Sequence, residues 1–436
     1  MKKQKGVVLL KYAYVNGFLL DGGADMAPQE GKVILTDGEI ITAVTDRDRA
    51  CLSGYTIIDL SGKYLMPGLI NLHVHLPGSG KPSSGKGDVV KLVKLVTSNP
   101  VTMFAARKIC AGYAKQQLFS GVTTIRTVGG ITDVDSTIRD RIYAGKQIGP
   151  RILAGNMAIS VPGGHMAGSL AYAATSPQEA RDFVRRIAAG KPDLIKLMIT
   201  GGVLDAKAKG EPGALKMRPE IVRAACDEAH RLGLSVAAHV ESPEGVRVAL
   251  ENGVDTIEHG AKPDEEIIRL FRERGACHIA TFSPALPYAL FDRSVSHASE
   301  MEQYNGKIVF DGIIACAVSC LQNGIPVGLG TDTGCPYITH YDMWREVYYF
   351  HKFCGVSNAF ALYTATKRNA ELVGLGSQTG SIEEGKSADF LITTGNPLED
   401  LRALRVPAMV VARGNIINAP QVKKSPVVEQ ELDKFV

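Results

Sequence analysis

Two histidines one residue apart close a short apolar run, and this constrains the chain more than any other feature. The run is Leu69-Ile70-Asn71-Leu72-His73-Val74-His75, directly after Met66-Pro67-Gly68. Successive side chains of a strand point to opposite faces, so residues two apart share one. His73 and His75 therefore aim at the same side and can grip one cation. Other ligand-type residues sit in comparable places. Lys196 lies inside Leu194-Ile195-Lys196-Leu197-Met198, and His239 ends Ser235-Val236-Ala237-Ala238-His239. His259 ends Thr256-Ile257-Glu258-His259, and Asp332 ends Val327-Gly328-Leu329-Gly330-Thr331-Asp332. Each alone has an ordinary explanation, as a core histidine, an ion-paired lysine or a capping aspartate. Together, in strand order, they point to a metal site.

Helical stretches separate these runs. Pro219 to Arg231 carries Ile221, Ala224, Ala225 and Ala229 at helical spacing, and 264–274 is similar. Further strand candidates lie at 122–126, 151–154 and 277–281. Strands alternating with helices imply parallel βα units. A chain of 436 residues exceeds one ordinary core, and α/β barrels run to about 250 residues or more. The expected fold is α/β, a (β/α)8 TIM barrel over residues 67–376. The chain ends read differently, as short strands at 12–15, 31–35, 40–44, 55–60, 388–393 and 408–412 with turns at Asp37-Gly38 and Arg413-Gly414-Asn415. Residues 1–66 and 377–436 are expected to form one small β-sandwich domain. Residues 78–98, rich in Gly, Ser and Lys before turning apolar, read as a loop over the barrel mouth and a candidate lid.

Composition narrows the partners. Net charge is +4, from 49 basic and 45 acidic residues, without the clustered basic excess of a nucleic-acid surface. Eight cysteines are scattered with no Cys-x-x-Cys pair, which fits reduced thiols and a cytoplasmic location. Lys11 interrupts the apolar run Val7-Val8-Leu9-Leu10 and no small-residue cleavage site follows, so no signal peptide is expected. No apolar stretch is expected to span a membrane, which takes about 20 residues. The expected partner is a small molecule.

In such barrels the active site lies at the C-terminal ends of the strands. His73 and His75 end the first strand, Lys196 lies within the fourth, His239 ends the fifth, His259 the sixth and Asp332 the eighth. Imidazole nitrogens and carboxylate oxygens suit Zn²⁺ and related ions. Lys196 is the odd member, because an ammonium cannot ligate a cation. Desolvated beside positive charge it can lose its proton and react. Reaction with CO2 makes a carbamate, an anion able to bridge two metals about 3.5–4 Å apart. Four neutral imidazoles and one aspartate leave two divalent ions under-compensated, and a carbamate adds a second negative ligand. His165, in Pro162-Gly163-Gly164-His165-Met166-Ala167-Gly168, reads as a substrate contact or oxyanion stabiliser. His278 and His340 read as structural or surface residues. Cys335 has no base beside it in sequence and is not taken as a nucleophile.

These motifs resemble the amidohydrolase superfamily, in its imidazolonepropionase-like branch of metal-dependent dipeptidases (Xaa-Pro or Xaa-Arg dipeptidase-like). The resemblance spans nearly the whole chain. It rests on Met66-Pro67-Gly68 through His75, Ile195-Lys196-Leu197-Met198-Ile199-Thr200-Gly201-Gly202-Val203, Ile257-Glu258-His259-Gly260, Thr364-Ala365-Thr366 with Asn369-Ala370, and Gly380-Ser381-Ile382-Glu383-Glu384-Gly385-Lys386-Ser387-Ala388-Asp389. It implies that His73, His75 and Asp332 hold one metal, His239 and His259 a second, and a carboxylated Lys196 bridges both, with zinc the expected ion. It also implies attack on an amide carbonyl by a metal-bridging hydroxide, with Asp332 as base then acid, His165 near the substrate, and a homo-oligomer. Two positions depart from relatives. Thr127 stands where they often carry Asp, and Glu241 where many carry Tyr or His. An anionic Glu241 would repel a substrate carboxylate and favour a basic or polar group. The expected function is a binuclear hydrolase of amide bonds in dipeptides or N-acyl amino acids. The alternatives are a mononuclear deaminase or cyclic-imide hydrolase, and an inactive scaffold.

Overall fold

The computed structural model describes residues 10–82 and 88–436. Part of the candidate lid, residues 83–87, lies outside them. The chain divides into two compact units. One comprises Met1–Ile70, Leu118–Thr123 and Ser357–Gln421, and the other Asn71–Gln117, Thr124–Val356 and Val422–Val436.

The first unit is built on two sheets. One has four strands in the order Ile40–Asp46, Lys32–Asp37, Lys11–Val15, Thr56–Asp59. The other has five, in the order Asn415–Asn418, Met409–Ala412, Phe390–Thr393, Tyr64–Pro67, Phe18–Leu19. Its turns follow backbone preference. Arg413 and Gly414 adopt φ of 47° and 72°, the left-handed pair that suits a two-residue hairpin, and they join two antiparallel strands. Tyr14, Ile34 and Ile41 from one sheet and Leu65, Phe390 and Val411 from the other share one buried core.

In the second unit the strands are taken in chain order. β1 (Leu69–Val74), β2 (Val122–Thr127) and β3 (Arg151–Leu153) form a three-stranded sheet. A seven-stranded sheet contains β4 (Ala158–Ser160), β5 (Ala171–Ala173), β6 (Leu194–Met198), β7 (Ser235–Val240), β8 (Thr256–His259), β9 (Cys277–Ala280) and β10 (Val327–Leu329). Its order is β5-β4-β6-β7-β8-β9-β10, and every pairing is parallel. The expected α/β alternation is present. β4 and β5 are three residues each, too short to stand out as apolar runs. Backbone bonds link the two sheets on both sides. Asp332 donates to the His73 carbonyl at 2.9 Å and His75 to that of Thr333 at 2.9 Å, while Asp193 donates to Ala154 at 2.8 Å.

The stretch expected as a loop contains a helix. α1 (Val89–Thr97) starts where Asp88 accepts from the Lys91 amide at 2.9 Å, an N-cap that satisfies an orphan donor. It is followed by α2 (Pro100–Phe119). Farther on, α3 (Phe282–Leu290) packs against α4 (Glu300–Gln322). α4 runs for 23 residues and is long and apolar enough to cross a membrane by length and composition, which corrects the expectation that no such stretch exists. Half of its most apolar window is buried within the chain. The cause is close packing: a Cβ on Gly306 would stand 2.5 Å from the Tyr288 Cβ.

Candidate metal centre

The six residues singled out above converge on one cleft at the ends of β1, β6, β7, β8 and β10. One ligand atom each from His73, His259 and Asp332 lie within 4.8 Å of one another, as do those from His239, Glu241 and His259. His75 joins the first group through its Nε2, 3.2 Å from Asp332 Oδ1. The imidazoles stand close, with ring centroids 4.8 Å apart for His73 and His259 and 4.6 Å for His239 and His259.

Each imidazole has one nitrogen committed away from the cleft or at its wall. His73 Nδ1 donates to Glu258 Oε2 at 2.8 Å, and His75 Nδ1 to the Gly129 carbonyl at 2.8 Å. His259 Nδ1 meets Thr281 Oγ1 at 2.7 Å, and His239 Nε2 lies 3.3 Å from the Gly201 carbonyl. Such partners set the tautomer and leave the other nitrogen for a cation. Burial, with Lys196 and the neighbouring imidazoles, holds His73, His239 and His259 far below the usual histidine range, so they are neutral, as ligands must be. Burial alone would raise Asp332, but His73 and His75 outweigh it and keep the carboxyl well below the ordinary range.

Lys196 is fully buried and its Nζ has no hydrogen-bond partner among the described residues. Burial lowers its pKa from 10.5 to about 8, against the pull of Glu258 and Asp332. An orphaned, easily deprotonated amine among metal-type ligands fits carbamate formation and has no structural purpose of its own. The donor set and its charge state therefore fit divalent ions.

Glu258 and Arg126 complete the support, and the sequence reading gave neither a role. Glu258 takes Arg126 Nη2 at 2.7 and 2.8 Å and Thr256 Oγ1 at 2.6 Å. Arg126 also donates from Nε to the Leu72 carbonyl at 2.7 Å, tying β1, β2 and β8 together. Glu258→Gln is expected to weaken metal affinity by about 10–100-fold, as removal of such partners does. It also strands a buried guanidinium, at about 3–5 kcal/mol of stability. A chelator competition titration and a melting curve measure the two effects, and an unchanged affinity refutes the role.

His165 reaches the cleft, stacked on His239 with centroids 4.3 Å apart. Asp205 accepts from its Nδ1 at 2.5 Å and from the Gly202 amide at 2.9 Å. That carboxylate, three residues after the Gly201-Gly202 pair, was not anticipated. Glu241 lines the same cleft, and its Oε2 has no hydrogen-bond partner among the described residues. Burial, then Asp332 and Asp205, push it well above the carboxylate range. Thr127 makes a local contact instead of a ligand contact, accepting from the Gly155 amide at 3.0 Å. His278 is buried behind the site and donates from Nε2 to the His259 carbonyl at 2.7 Å. Its contact with Cys316 and Cys320 makes a third ligand-type group, away from the cleft lining. His340 bonds the Gly78 carbonyl at 2.7 Å. Cys335 faces the cleft, where burial and Asp332 raise its thiol far above its usual range.

The amidohydrolase family pattern matches residues 64–417. The chain belongs to the amidohydrolase family. Among solved structures, a Bifidobacterium longum protein provisionally described as a prolidase is similar at 35% identity and a TM-score of 0.86, covering 98% of this chain and 99% of that one. A Xaa-Pro dipeptidase with bound methionine in its active site is similar at 28% identity and 0.82, covering 94% and 100%. By sequence, ochratoxinase of Aspergillus niger is 26% identical, over 79% of this amidohydrolase and 73% of the relative. A deaminase for 5-methylthioadenosine and S-adenosylhomocysteine from Nitratidesulfovibrio vulgaris is 25% identical, over 86% and 82%.

Proposed function

We propose that this amidohydrolase is a binuclear metal-dependent enzyme that cleaves amide bonds in dipeptides, N-acyl amino acids or similar small molecules. The observation that carries the reading is Lys196, buried without a partner among two ligand groups that share His259. Its neutral amine would add to CO2, forming an N–C bond and releasing one proton, and the carbamate would join both groups. His73, His75 and Asp332 would hold one ion, most simply zinc, and His239 and His259 the other. When bound, the ions supply hydroxide near neutral pH and polarise the carbonyl. Asp332, ionised and beside the cleft, accepts the proton of the attacking water and delivers it to the departing amine. His165, fixed through Nδ1 by Asp205, turns Nε2 to the substrate. The likeness to a Xaa-Pro dipeptidase supports the amide bond as target.

In this reading the two sheets of the second unit are one closed (β/α)8 barrel, and residues 1–66 and 377–436 form a β-sandwich. The bonds at His73, Thr333 and Ala154 support closure. Eight free cysteines support a cytoplasmic setting. The deaminase relative keeps a one-metal reading in play, in which Lys196 has no bridging task. Metal content per subunit, on protein purified without chelator, decides between them, paired with intact mass for one added CO2. Two ions and the adduct are expected. One ion that persists after bicarbonate and excess zinc overturns the binuclear reading.

Glu241 sets polarity at one end of the cleft. It also lines a neighbouring cavity of about 840 Å³ bordered by Glu211, Glu244, Asp311 and a single lysine, Lys262. A basic or polar substrate group there is the expected preference. Burial, Asp332 and Asp205 favour the neutral acid of Glu241 in the free enzyme, and a basic substrate group beside it would restore the carboxylate, so Glu241→Gln should lower kcat/KM for basic substrates relative to neutral ones by about tenfold, the scale of one lost charged contact. Unchanged preference across a dipeptide panel sinks the idea.

A further inference from the structure

The metal cleft is narrow, with a volume of about 160 Å³, below the roughly 300–1,000 Å³ of small-molecule sites. A second cavity of about 570 Å³ adjoins it. His75, Met166 and Cys335 line both, so the two spaces share a wall at a candidate metal ligand. The walls of the larger one come from Val93 and Val96 of α1, Ala106 and Ile109 of α2, Ile131 and Leu170. Among the described residues, no Asp, Glu, Lys or Arg lines it. Glu241 also lines the metal cleft. A substrate centred on the metals therefore meets the acid side chain of Glu241 within the cleft and hydrocarbon in the adjoining chamber.

The geometry points to this chamber under α1 and α2 as the site for a bulky apolar group of the substrate, an alkyl chain or aromatic ring attached next to the cleaved amide. The inference rests on the hydrolase reading and specifies its substrate class. Position supports it over a docking face for another macromolecule, because the apolar space runs up to His75. Leu95, Val101 and Phe104 are exposed outside the chamber lining, and Val89, Leu92 and Ile109 of the lining are exposed as well, so the chamber opens to solvent along α1 and α2. Transfer of each methylene from water into such a space favours binding, and a group that enters it only when the amide is seated on the metals raises kcat/KM.

The test uses metal-loaded enzyme and one amino acid acylated with acetyl, butanoyl, hexanoyl and octanoyl chains. Wild-type kcat/KM should rise about three- to fourfold per methylene until the chamber fills. Ala106→Phe and Val93→Trp, two independent ways of filling the space, should each cut the octanoyl-to-acetyl ratio by more than about tenfold. In parallel, binding of the apolar fluorescent probe N-phenyl-1-naphthylamine is measured on the same proteins with and without metal. Both variants should weaken it, and octanoate should displace it from wild type. A measurable acetyl rate that does not change with chain length, or probe binding that neither variant reduces, overturns the chamber assignment. Probe binding that both variants weaken, with no acyl chain cleaved, supports the chamber's ligand class and counts against the hydrolase reading instead. Probe binding that follows self-association, seen as a rise in mass with concentration, overturns the assignment in favour of a second copy of the chain.

Discussion

Lys196→Met is expected to reduce bound metal from the proposed two ions per subunit to one or none and to lower kcat/KM at least about a thousandfold, because in the proposed centre the Lys196 carbamate is the shared anionic ligand and its loss would remove the several kcal/mol that metal polarisation supplies. Methionine preserves bulk without an amine, so a folding defect is not the cause. Lys196→Ala leaves room for a small anion, and acetate or butyrate should restore part of the activity there and none in Lys196→Met. The titration of Lys196 adds a signed pH effect. Its amine is depressed to about 8 in the fold against 10.5 when free. Below pH 8 the native state must bury an ammonium, and that cost is relieved as pH rises from about 8 toward 10.5. Metal-free Lys196→Met should therefore be more stable than metal-free wild type at pH 7, and the gap should close over that window. For the same reason, reconstitution with CO2 at constant pressure should speed up about tenfold per pH unit below 8 and level off above it. Equal stability of the two proteins at pH 7, or two metals retained by Lys196→Met, would remove Lys196 from its assigned role.

Asp332→Asn should lower kcat by about 10²–10⁴-fold, the range for a positioned proton-transfer group, with a smaller change in KM. Asparagine is the informative replacement. Asp332 sits at φ of 54°, a conformation that Asp and Asn tolerate and most side chains do not. Asp332→Ala would add backbone strain to the loss of chemistry. The neighbouring histidines hold the Asp332 carboxyl well below the ordinary range, so it stays ionised from neutral pH down through mild acid. Its share of the activity is lost only when pH falls through that depressed value. An acid limb at pH 6 in the wild-type profile would belong to another group. Asp332→Asn with unchanged kcat and intact metal content would show that the proton travels elsewhere.

The legible part of this protein was local. His73 and His75 could be read as a pair because strand periodicity alone puts residues two apart on one face, and Lys196, His239, His259 and Asp332 because each sits in or ends an apolar run. Helix 264–274 was visible from its spacing, and the structure adds its cap, Asp264 accepting from the Ile267 amide at 2.9 Å. The illegible part was long-range. Glu258 and Arg126 read as ordinary strand residues, and their roles exist only because the fold brings Glu258 to His73 across 185 residues. Asp205 gains its task only against His165. α1 was mistaken for a loop because the Gly and Ser residues before it dominate the local signal, while the apolar residues that shape the chamber act only with α2 beside them.

By itself the sequence determined which atoms can bind a cation, since donor type is a property of the side chain, and which face of each strand presents them, since the pleat is. The tertiary structure decided everything that depends on distance and on exclusion of water. It made His73, His239 and His259 neutral and Lys196 titratable, because burial, far more than sequence neighbours, sets those charges. It also placed the acid side chain of Glu241 in the metal cleft and a hydrocarbon chamber beside that cleft, because cavities form between elements remote in the chain.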